Sequence, residues 1–451
     1  MKGECFAKFF SAVDKHRNLI LSAERHIWAN PEIGYKEWKT SAYLEERFEK
    51  LGYKLTRAGN IPGFYADLDT GMPGPKILIF GELDSLICKD HPDADPKTGA
   101  VHACGHNAQC ATLLGVAAAL KEDGILEGLC GSVRLCAVPA EEGVDITYRE
   151  NLRKSGIIQY YSGKVEFLHR GYFDDVDMAI MVHVTNKEKG FTITRGSIGN
   201  IKKRIIYKGV AAHAGAHPYD GINALYAANL GLNAINALRE TFKEEDRIRV
   251  HPIITKGGET ANAIPAEVVM ECYVRGISSD AIYAVNNKVN RALAGAAVSM
   301  GANVRITDRP GSSPLINDMN LMEVAKTVME EIVGSENIEI FDDFRAGSTD
   351  MGDISAVMPA IHPYTAGAAG KPHGNDFYIV DPEEACINPA KMIMGMIYLL
   401  LSNNAERAKE ILAKKNIRYS SKEEYFKDIN RFMQDKDLVT YKGDGSIVIF
   451  G

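Results

Sequence analysis

A thiol and an imidazole lie one glycine apart in the segment VHACGHNAQC, at Cys104 and His106. Three explanations fit this pair: a nucleophilic or redox-active cysteine, a metal-binding corner, or two side chains that only pack. A thiolate beside an imidazole can attack an acyl carbon, and the same two groups are good ligands for zinc. A Cys-x-His pair does not decide between these explanations, so the remaining polar residues must.

Further acids and imidazoles follow the apolar runs that predict strands. They are Glu82 and Asp84 after KILIFG, Glu141 and Glu142 after SVRLCAVPA, His183 at the end of VDMAIMVH, and His373 in the glycine-rich TAGAAGKPHGND. Thiolate, imidazole and carboxylate together suit zinc and similar divalent ions. One zinc ion needs about four donors, and the chain offers more, which suggests two metals. A thiolate can bridge two ions, and one acid of an adjacent pair can stay free as a base.

The elements that position these residues alternate between short apolar strands and helices, which is typical of an α/β sheet with its chemistry at the carboxyl ends of the strands. From Gly196 the pattern changes to longer antiparallel strands with two helices, which predicts an inserted α+β domain. We therefore predict a discontinuous catalytic domain over residues 1–195 and 311–403, an inserted domain over 196–310, and a C-terminal extension over 404–451. That extension is charge-rich, is expected to be mostly helical, and has no assigned role.

Composition excludes several classes of partner. The 451 residues carry a net charge of −7, and no basic stripe with interleaved aromatics suggests a nucleic-acid partner. Charged residues interrupt the N-terminus where a signal peptide needs an apolar stretch. The most apolar segment, KMIMGMIYLLL, is shorter than the ~18 residues of a membrane span and predicts a buried helix. The eight scattered cysteines fit a reducing compartment, so we expect a cytoplasmic protein without a membrane partner.

Seven motifs occur in order over most of residues 20–400: HACGHN, PAEE, MVH, AAHAGAHP, GGETANAIP, STDMGDIS and PHGND. With these motifs the chain resembles the dinuclear-metal peptidase family that contains aminoacylase, carboxypeptidase G and the bacterial aminobenzoyl-glutamate hydrolases. It is most similar to the amidohydrolase branch that acts on aminobenzoyl-glutamate, indoleacetyl-amino acids and N-acyl amino acids. In that branch a Cys-Gly-His motif replaces a bridging aspartate and a metal-binding histidine.

The resemblance implies a zinc-peptidase-like catalytic domain with a mixed sheet and an inserted lid and dimerisation domain, hence a C2 homodimer. It implies two divalent ions per subunit, zinc or manganese. The implied metal ligands are Cys104 as the bridge, His106, Glu142, His183 and His373. Glu141 would be the general base, His213 of the inserted domain would stabilise the oxyanion, and Asn262 and Arg275 would bind substrate.

The function implied is a metal-dependent amidohydrolase that cleaves N-acyl or N-aroyl amino acids, with a small-molecule substrate. Three alternatives stay open: a dipeptidase or carboxypeptidase of the same family, a metal-free cysteine-dependent acyl hydrolase, and a non-catalytic binding relative. Asn107 departs from the aspartate of many relatives and is expected to support the site from behind the ligands. Glu82 stands where distant relatives carry a metal-binding histidine, so it either supports the site or is unused. Asp84 is expected to orient a ligand or a backbone group.

Overall fold

The computed structural model describes residues 2–442 and 445–449. The α-helices of this part are α1 (Lys2–Lys15), α2 (Arg17–Trp28), α3 (Trp38–Lys50), α4 (His106–Ala119), α5 (Ile146–Lys154), α6 (Gly163–His169), α7 (Ala224–Ala237), α8 (Ser279–Met300), α9 (Met319–Val333), α10 (Met351–Ser355), α11 (Asn388–Ala413) and α12 (Lys422–Ile429). The strands are β1 (Leu55–Arg57), β2 (Phe64–Asp69), β3 (Lys76–Glu82), β4 (Leu86–Ile87), β5 (Ala100–Val101), β6 (Ser132–Val138), β7 (Met178–Ile180), β8 (His183–Val184), β9 (Phe191–Ser197), β10 (Gly199–Lys208), β11 (Arg249–Lys256), β12 (Glu267–Gly276), β13 (Asn303–Ser312), β14 (Leu315–Ile316), β15 (Ile338–Arg345), β16 (Ala360–Ile361), β17 (Tyr364–Thr365), β18 (Ala368–Ala369), β19 (Tyr378–Ile379), β20 (Gln434–Tyr441) and β21 (Ile447–Ile449).

The chain divides into two compact units. The first unit consists of Met1–Gly196, Leu315–Phe344 and Asp350–Lys422, and the second unit of Ser197–Pro314, Arg345–Thr349 and Glu423–Gly451. The sequence pattern placed the corresponding junctions at 195/196 and 310/311.

The first unit is built on a mixed sheet with the strand order β1-β2-β6-β3-β7-β16. The strands β6, β3, β7 and β16 run parallel, and β2 and β1 add antiparallel pairs at one edge. All residues of β3 after the first are buried, because α4 packs against this strand. This burial explains the continuous apolar run of KILIFG, which is typical of a strand covered on both faces. The predicted α/β class with a mixed sheet is confirmed.

One helical stretch of the first unit, Glu383–Ala413, has the length and composition of a membrane-spanning helix, and 72% of its most apolar window is buried within the protein. The helix of a folded core passes the same test, so this stretch is weak evidence for a span. It begins with a π-helical turn over Glu383–Ile387 and continues as α11, which packs against α9, α1 and α4. Residues 402–405 leave helical backbone angles, so α11 breaks before its last turns.

The second unit is an antiparallel sheet in the order β11-β12-β10-β13-β20-β21, with α7 and α8 packed on each other and on the sheet. Its last two strands correct one prediction, because the C-terminal extension is not mostly helical. After α11 and α12 the chain forms β20, which pairs antiparallel with β13 and then with β21. Two of the charged residues of this extension, Asp435 and Asp437, form cross-strand ion pairs with Arg305 of β13.

Candidate metal centre

The glycine between Cys104 and His106 is required by the backbone. Gly105 has φ +89° and precedes His106, the first residue of α4. A Cβ at this position would lie 2.1 Å from Cγ1 of Val184, so any side chain would both strain the backbone and collide. The turn therefore aims the thiol and the imidazole into one space at the start of the helix.

Cys104, His106 and His183 form the first donor cluster, with one ligand atom from each within 4.8 Å of the others. The Cys104 sulfur lies 3.3 Å from Nε2 of His183, whose Nδ1 donates a hydrogen bond to the Val184 carbonyl at 2.7 Å. Nδ1 of His106 donates to the backbone oxygen of Asp84 at 2.9 Å. In the neutral form of each ring Nδ1 carries the proton, so Nε2 would present a lone pair to a metal ion, as in metal-binding histidines.

A second donor cluster shares the same sulfur. Ligand atoms of Cys104, Glu142 and His373 also lie within 4.8 Å of one another. Nε2 of His373 is 3.2 Å from Oε1 of Glu142. His373 has φ +63°, and its N–H donates to the carbonyl of Ala103 at 2.8 Å, which fixes its loop beside the thiol. Two clusters that meet at one sulfur have the arrangement of a thiolate-bridged pair of metals.

Unsatisfied polar atoms test whether these residues fit metal ions. Nε2 of His106 and Oε2 of Glu82 are buried, lie 3.1 Å apart and make no hydrogen bond within the described residues. Leaving a buried polar atom without a partner costs about 1–3 kcal/mol, and more when the atom is charged. A cation among these atoms removes that penalty, and the sulfur, nitrogen and oxygen donors suit zinc or a similar divalent ion. The residues of the two donor clusters therefore fit a divalent metal ion.

The loop that carries Glu141 and Glu142 is held by side chains from outside it. Ala140 has φ +61°, and its N–H donates to Oε1 of Glu37 at 2.8 Å. The buried Arg149 donates to the carbonyl oxygens of Ala140 at 3.3 Å, of Tyr161 at 2.7 Å and of Glu142. These hydrogen bonds hold Ala140 in the left-handed backbone conformation. A residue other than glycine keeps that conformation only where its surroundings enforce it.

Asp84 connects this acid loop to the first donor cluster. Its Oδ2 accepts the Glu142 N–H at 2.8 Å, and its Oδ1 lies 3.2 Å from Nδ1 of His106. One carboxylate therefore contacts both the His106 ring and the backbone of Glu142, a position compatible with the orienting role predicted for Asp84.

The two adjacent glutamates have very different pKa values. For Glu142, burial opposes ionisation, but the hydrogen bond and charge of His373 outweigh it and lower the pKa to about 2. For Glu141, burial and the negative charges of Glu82, Glu142 and Asp350 raise the pKa well above its usual value. One acid is thus a permanent anion suited to ligation, and the other has a high proton affinity suited to a base.

The pKa of the thiol that the two donor clusters share is shifted as well. Burial and the Glu142 carboxylate oppose its ionisation, yet the imidazoles of His106 and His183 lower the pKa of Cys104 to about 6. The thiolate form needed for metal binding is therefore accessible at neutral pH. The remaining buried cysteines for which a shift is resolved, Cys110, Cys136, Cys272 and Cys386, have raised pKa values because they are buried.

Sequence reasoning missed a buried ion-pair cluster beside these donors. The ammonium of Lys164, on α6, contacts Oε1 of Glu82 and lies 2.6 Å from Oδ1 of Asp350. Oxygens of Glu82, Glu141 and Asp350 lie within 4.8 Å of one another. Lys164 occurs in the ordinary amphipathic segment GKVEFLH, so no local pattern indicates this contact.

The other sequence-predicted residues, His213, Asn262 and Arg275, belong to the second unit. His213 and Asn262 lie on adjacent segments, since the Ala214 N–H donates to the Asn262 carbonyl at 2.9 Å. Nδ1 of His213 accepts the N–H groups of Gly215 and Ala216 at 3.2 and 3.1 Å, so a neutral ring carries its proton on the exposed Nε2. Arg275 donates to Ser348 at 2.9 Å and to His251 at 3.2 Å.

Three neighbours of the donor clusters take no part in them. Asn107 donates to Glu24 at 2.7 Å, on the side of α4 that faces α2. His102 and His362 are buried, and burial lowers the pKa of each to about 3, so both are neutral rings. The His362 ring lies against His183 and Tyr364 at centroid distances of 5.8 and 5.0 Å. It is a packing residue.

Known proteins share this architecture. The Xaa-Arg dipeptidase of Homo sapiens is 28% identical over 371 residues, which cover 78% of this chain and 77% of that protein. One of the p-aminobenzoyl-glutamate hydrolase subunits of Escherichia coli strain K12 is 31% identical over 325 residues, 60% of this chain and 70% of that protein. The crystal structure of the Bacillus subtilis YXEP protein, a dinuclear metal binding peptidase, superposes with a TM-score of 0.62 at 19% identity and covers 86% of this chain and 99% of that chain.

The family assignment follows from the match to a family model. Residues 78–398 match the family model of peptidase family M20/M25/M40, which is more than half of the chain and contains both donor clusters. The predicted resemblance is confirmed, and the match together with the donor chemistry indicates the use of divalent metal. The chain belongs to peptidase family M20/M25/M40, and it is a hydrolase that acts on amide bonds.

Proposed function

We propose that the protein hydrolyses the amide bond of N-acyl or N-aroyl amino acids, with two zinc or manganese ions per subunit. The observation that carries this proposal is the pair of three-donor clusters that share Cys104, with the high-pKa carboxyl of Glu141 beside them. The p-aminobenzoyl-glutamate hydrolase of Escherichia coli supports this substrate class, and so does the N-acetyl-L-cysteine deacetylase of Bacillus subtilis, which is 28% identical over 323 residues.

In the proposed mechanism Cys104, His106 and His183 would hold one ion, and Cys104, Glu142 and His373 would hold the other. When bound, such ions lower the pKa of coordinated water and polarise the scissile carbonyl. Glu141 accepts the proton of the attacking water and returns it to the leaving amine nitrogen.

The second unit has three roles in the proposal. The Nε2–H of His213 donates to the developing oxyanion, and its exposure and fixed tautomer support this role. Asn262 and Arg275 bind the amino-acid portion of the substrate. The second unit also forms the interface of a C2 homodimer, in line with the family resemblance.

A metal-free cysteine hydrolase is the main competing mechanism, and the 3.3 Å contact between Cys104 and His183 is compatible with a catalytic dyad. A dyad needs one imidazole, however. It gives no use to the buried Nε2 of His106 or to the Glu142 carboxylate and the His373 ring beside the same sulfur. The two-metal arrangement uses all of these atoms.

A dipeptidase is the second candidate function, because the human Xaa-Arg dipeptidase matches over 78% of this chain. The chemistry at the metals is the same, and the difference lies in the group on the acyl side. A panel of N-acetyl and N-benzoyl amino acids, aminobenzoyl-glutamate and Xaa-Arg dipeptides separates the two. Higher kcat/KM on the acylated and aroylated substrates supports the proposal, and higher values on the dipeptides support the alternative.

The test of the mechanism combines metal analysis with one isosteric substitution. We expect about two metal ions per chain, activity lost in chelator and restored by zinc or manganese, and no hydrolysis by Glu141→Gln with its metals retained. Glu127→Gln, which changes an exposed carboxylate of the same unit, is the control and should retain activity. Activity that survives metal removal but not thiol alkylation would instead establish the cysteine mechanism.

A further inference from the structure

We propose that His91 is a positioning residue, whose ring holds the hairpin that carries His373 beside Cys104. This inference rests on the proposed function, because His373 is a metal ligand only in that proposal. None of the roles described above uses the polar loop over residues 88–99, CKDHPDADPKTG, which contains His91.

His373 lies in a hairpin that has few anchors of its own. The strands β18 and β19 pair antiparallel, and residues 370–377 connect them. The stretch AGAAGKPHGN around His373 has three glycines, three alanines and no large apolar side chain. The His373 side chain itself is 55% exposed. Because glycine loses the most backbone freedom when it is fixed, the position of His373 depends on contacts from outside the hairpin.

The ring of His91 supplies such a contact. Its Nε2 lies 2.9 Å from the carbonyl oxygen of Phe377, at the end of the hairpin connection. Its Nδ1 accepts the Asp93 N–H at 3.0 Å. Since Nδ1 uses its lone pair for this bond, the proton of the neutral ring is on Nε2, which donates to the Phe377 carbonyl. His91 and Phe377 are both buried, so this bond is shielded from water.

The His91 ring is fixed by residues on its other sides. Nε1 of Trp28 donates to Oδ2 of Asp93 at 3.0 Å, which holds the residue whose N–H bonds to His91. The ring also contacts the rings of Trp28 and Tyr378, at centroid distances of 5.8 and 4.9 Å. Trp28 ends α2, which packs on α4, and α4 begins at His106. The hairpin is therefore tied to the same helix that presents His106.

Phe377 links the His91 contact to the thiol that the two donor clusters share. Its ring lies against the turn that follows Cys104, since a Cβ built at Gly105 would be 3.5 Å from Cζ of Phe377. Loss of the bond from His91 should therefore loosen His373 at the thiol. We expect the ion of the second donor cluster to be weakened and the ion of the first donor cluster to be spared.

Two amide substitutions of His91 separate the bond to Phe377 from the packing of the ring. A glutamine amide can place its NH2 donor where Nε2 of histidine lies, and an asparagine amide can place its oxygen acceptor where Nδ1 lies. His91→Gln therefore keeps the donor to Phe377 and loses the acceptor for the Asp93 N–H, whereas His91→Asn does the reverse. Both variants lose the ring contacts, so their difference reports the bond to the hairpin.

The first measurement is hydrogen exchange over residues 370–379 of the metal-free protein, followed by mass spectrometry. We expect exchange about tenfold faster in His91→Asn than in His91→Gln, because one buried hydrogen bond of the hairpin is lost. Tyr53→Phe is the control, since it removes a buried hydroxyl that donates to the Ala117 carbonyl at 2.8 Å in the same unit. It should lower stability without faster exchange in the hairpin.

The second measurement is zinc affinity by chelator competition, with the visible spectrum of the cobalt-substituted protein. We expect His91→Asn to bind one ion about 10- to 100-fold more weakly and the other within about twofold of wild type. The cobalt d–d bands of the weakened site should change. In a His373→Ala background, His91→Asn should have no further effect on zinc affinity, because it acts through that ligand.

The outcomes separate this inference from the proposed function. If wild type binds two ions and His91→Asn equals His91→Gln in exchange and in both zinc affinities, this inference is overturned while the proposed function stands. Equal weakening of both ions would also overturn it, since that result indicates a general loss of stability. If wild type binds no metal, the proposed function fails, and the exchange comparison alone decides whether His91 holds the hairpin. Should His91→Asn not fold, Trp28→Phe, which removes the bond to Asp93, should speed the same exchange to a smaller degree.

Discussion

The substitution Asp84→Asn removes one negative charge and one acceptor from behind the metal ligands. Asp84 is fully buried, and both of its oxygens accept hydrogen bonds, from Nδ1 of His106 at 3.2 Å and from the N–H of Glu142 at 2.8 Å. An asparagine has one acceptor oxygen and one NH2 donor. In either orientation of the amide, the NH2 group faces an N–H group, so one of the two bonds is lost.

The magnitude depends on which bond is lost. A hydrogen bond to a charged group contributes about 1.5–3 kcal/mol, and each 1.4 kcal/mol is about tenfold in a binding constant. His106 keeps its 2.9 Å bond to the backbone oxygen of residue 84, so an amide that turns its NH2 toward this ring loses less. We therefore expect zinc affinity to fall about 10- to 100-fold, nearer to the lower value, as for other partners of metal ligands.

The assay is chelator competition for zinc, with thermal unfolding of the metal-free protein measured in parallel. The control is Asp308→Asn, which changes an aspartate of the second unit that is equally buried and bonded to Lys203 and Asn286. Both variants should lose stability, but only Asp84→Asn should lose zinc affinity. If the two variants bind zinc equally well, the reasoning that Asp84 orients the donors is refuted.

Three further predictions concern the same contacts. Gly105→Ala forces a Cβ into a collision at φ +89°, so bound metal should fall below one ion per chain by elemental analysis; two retained ions would contradict this. Arg149→Met leaves the carbonyls of the acid loop, including that of Glu142, without their donor, and we expect about 2–4 kcal/mol less stability by denaturant unfolding and at least a tenfold lower kcat. Hydrogen bonds with Cys104 and Glu142 raise the pKa of His373 to about 11 in the metal-free protein, so this ring must lose a proton before it binds metal. Zinc affinity should then rise about tenfold per pH unit from pH 7 to 9, with proton release measured by calorimetry in buffers of different ionisation enthalpy; an affinity independent of pH would contradict the assignment.

Much of the first unit was predictable because its signals are local. The continuous apolar runs of β3 and β6 predict strands covered on both faces, and the polar residues that follow them lie where parallel strands end. Donors at these ends converge because the sheet brings its strand ends to one edge. Glu142, which follows β6, is brought in this way to Cys104 and His106, which come from the turn at the start of α4. Their assignment as ligands stays a prediction until metal is measured.

The parts that could not be predicted depend on contacts between distant residues. Lys164 is 82 residues from Glu82 and 186 from Asp350, so no pattern within its own helix indicates either ion pair. The strand β20 lies in the C-terminal extension, which is charge-rich and was expected to be mostly helical. These charges are instead neutralised across the sheet by Arg305 of β13, a contact that depends on register and not on composition.

Residues outside the motifs help to hold the site, and this has a physical reason. The donors come from several separate segments, and loop residues lose about 1–2 kcal/mol of backbone entropy each when they are fixed. The structure fixes these segments by contacts that exist without metal: Asp84 binds His106 and the acid loop, Arg149 and Glu37 hold the same acid loop, and Gly105 permits a turn that a residue with a side chain could not adopt. Because the ordering is completed on folding, little of the metal's binding energy is needed to assemble the ligands. Substitutions of these supporting residues should therefore lower metal affinity and the rate of hydrolysis. The effect should be larger when the substitution frees more of the loop backbone, even though none of these residues contacts an ion in the proposal.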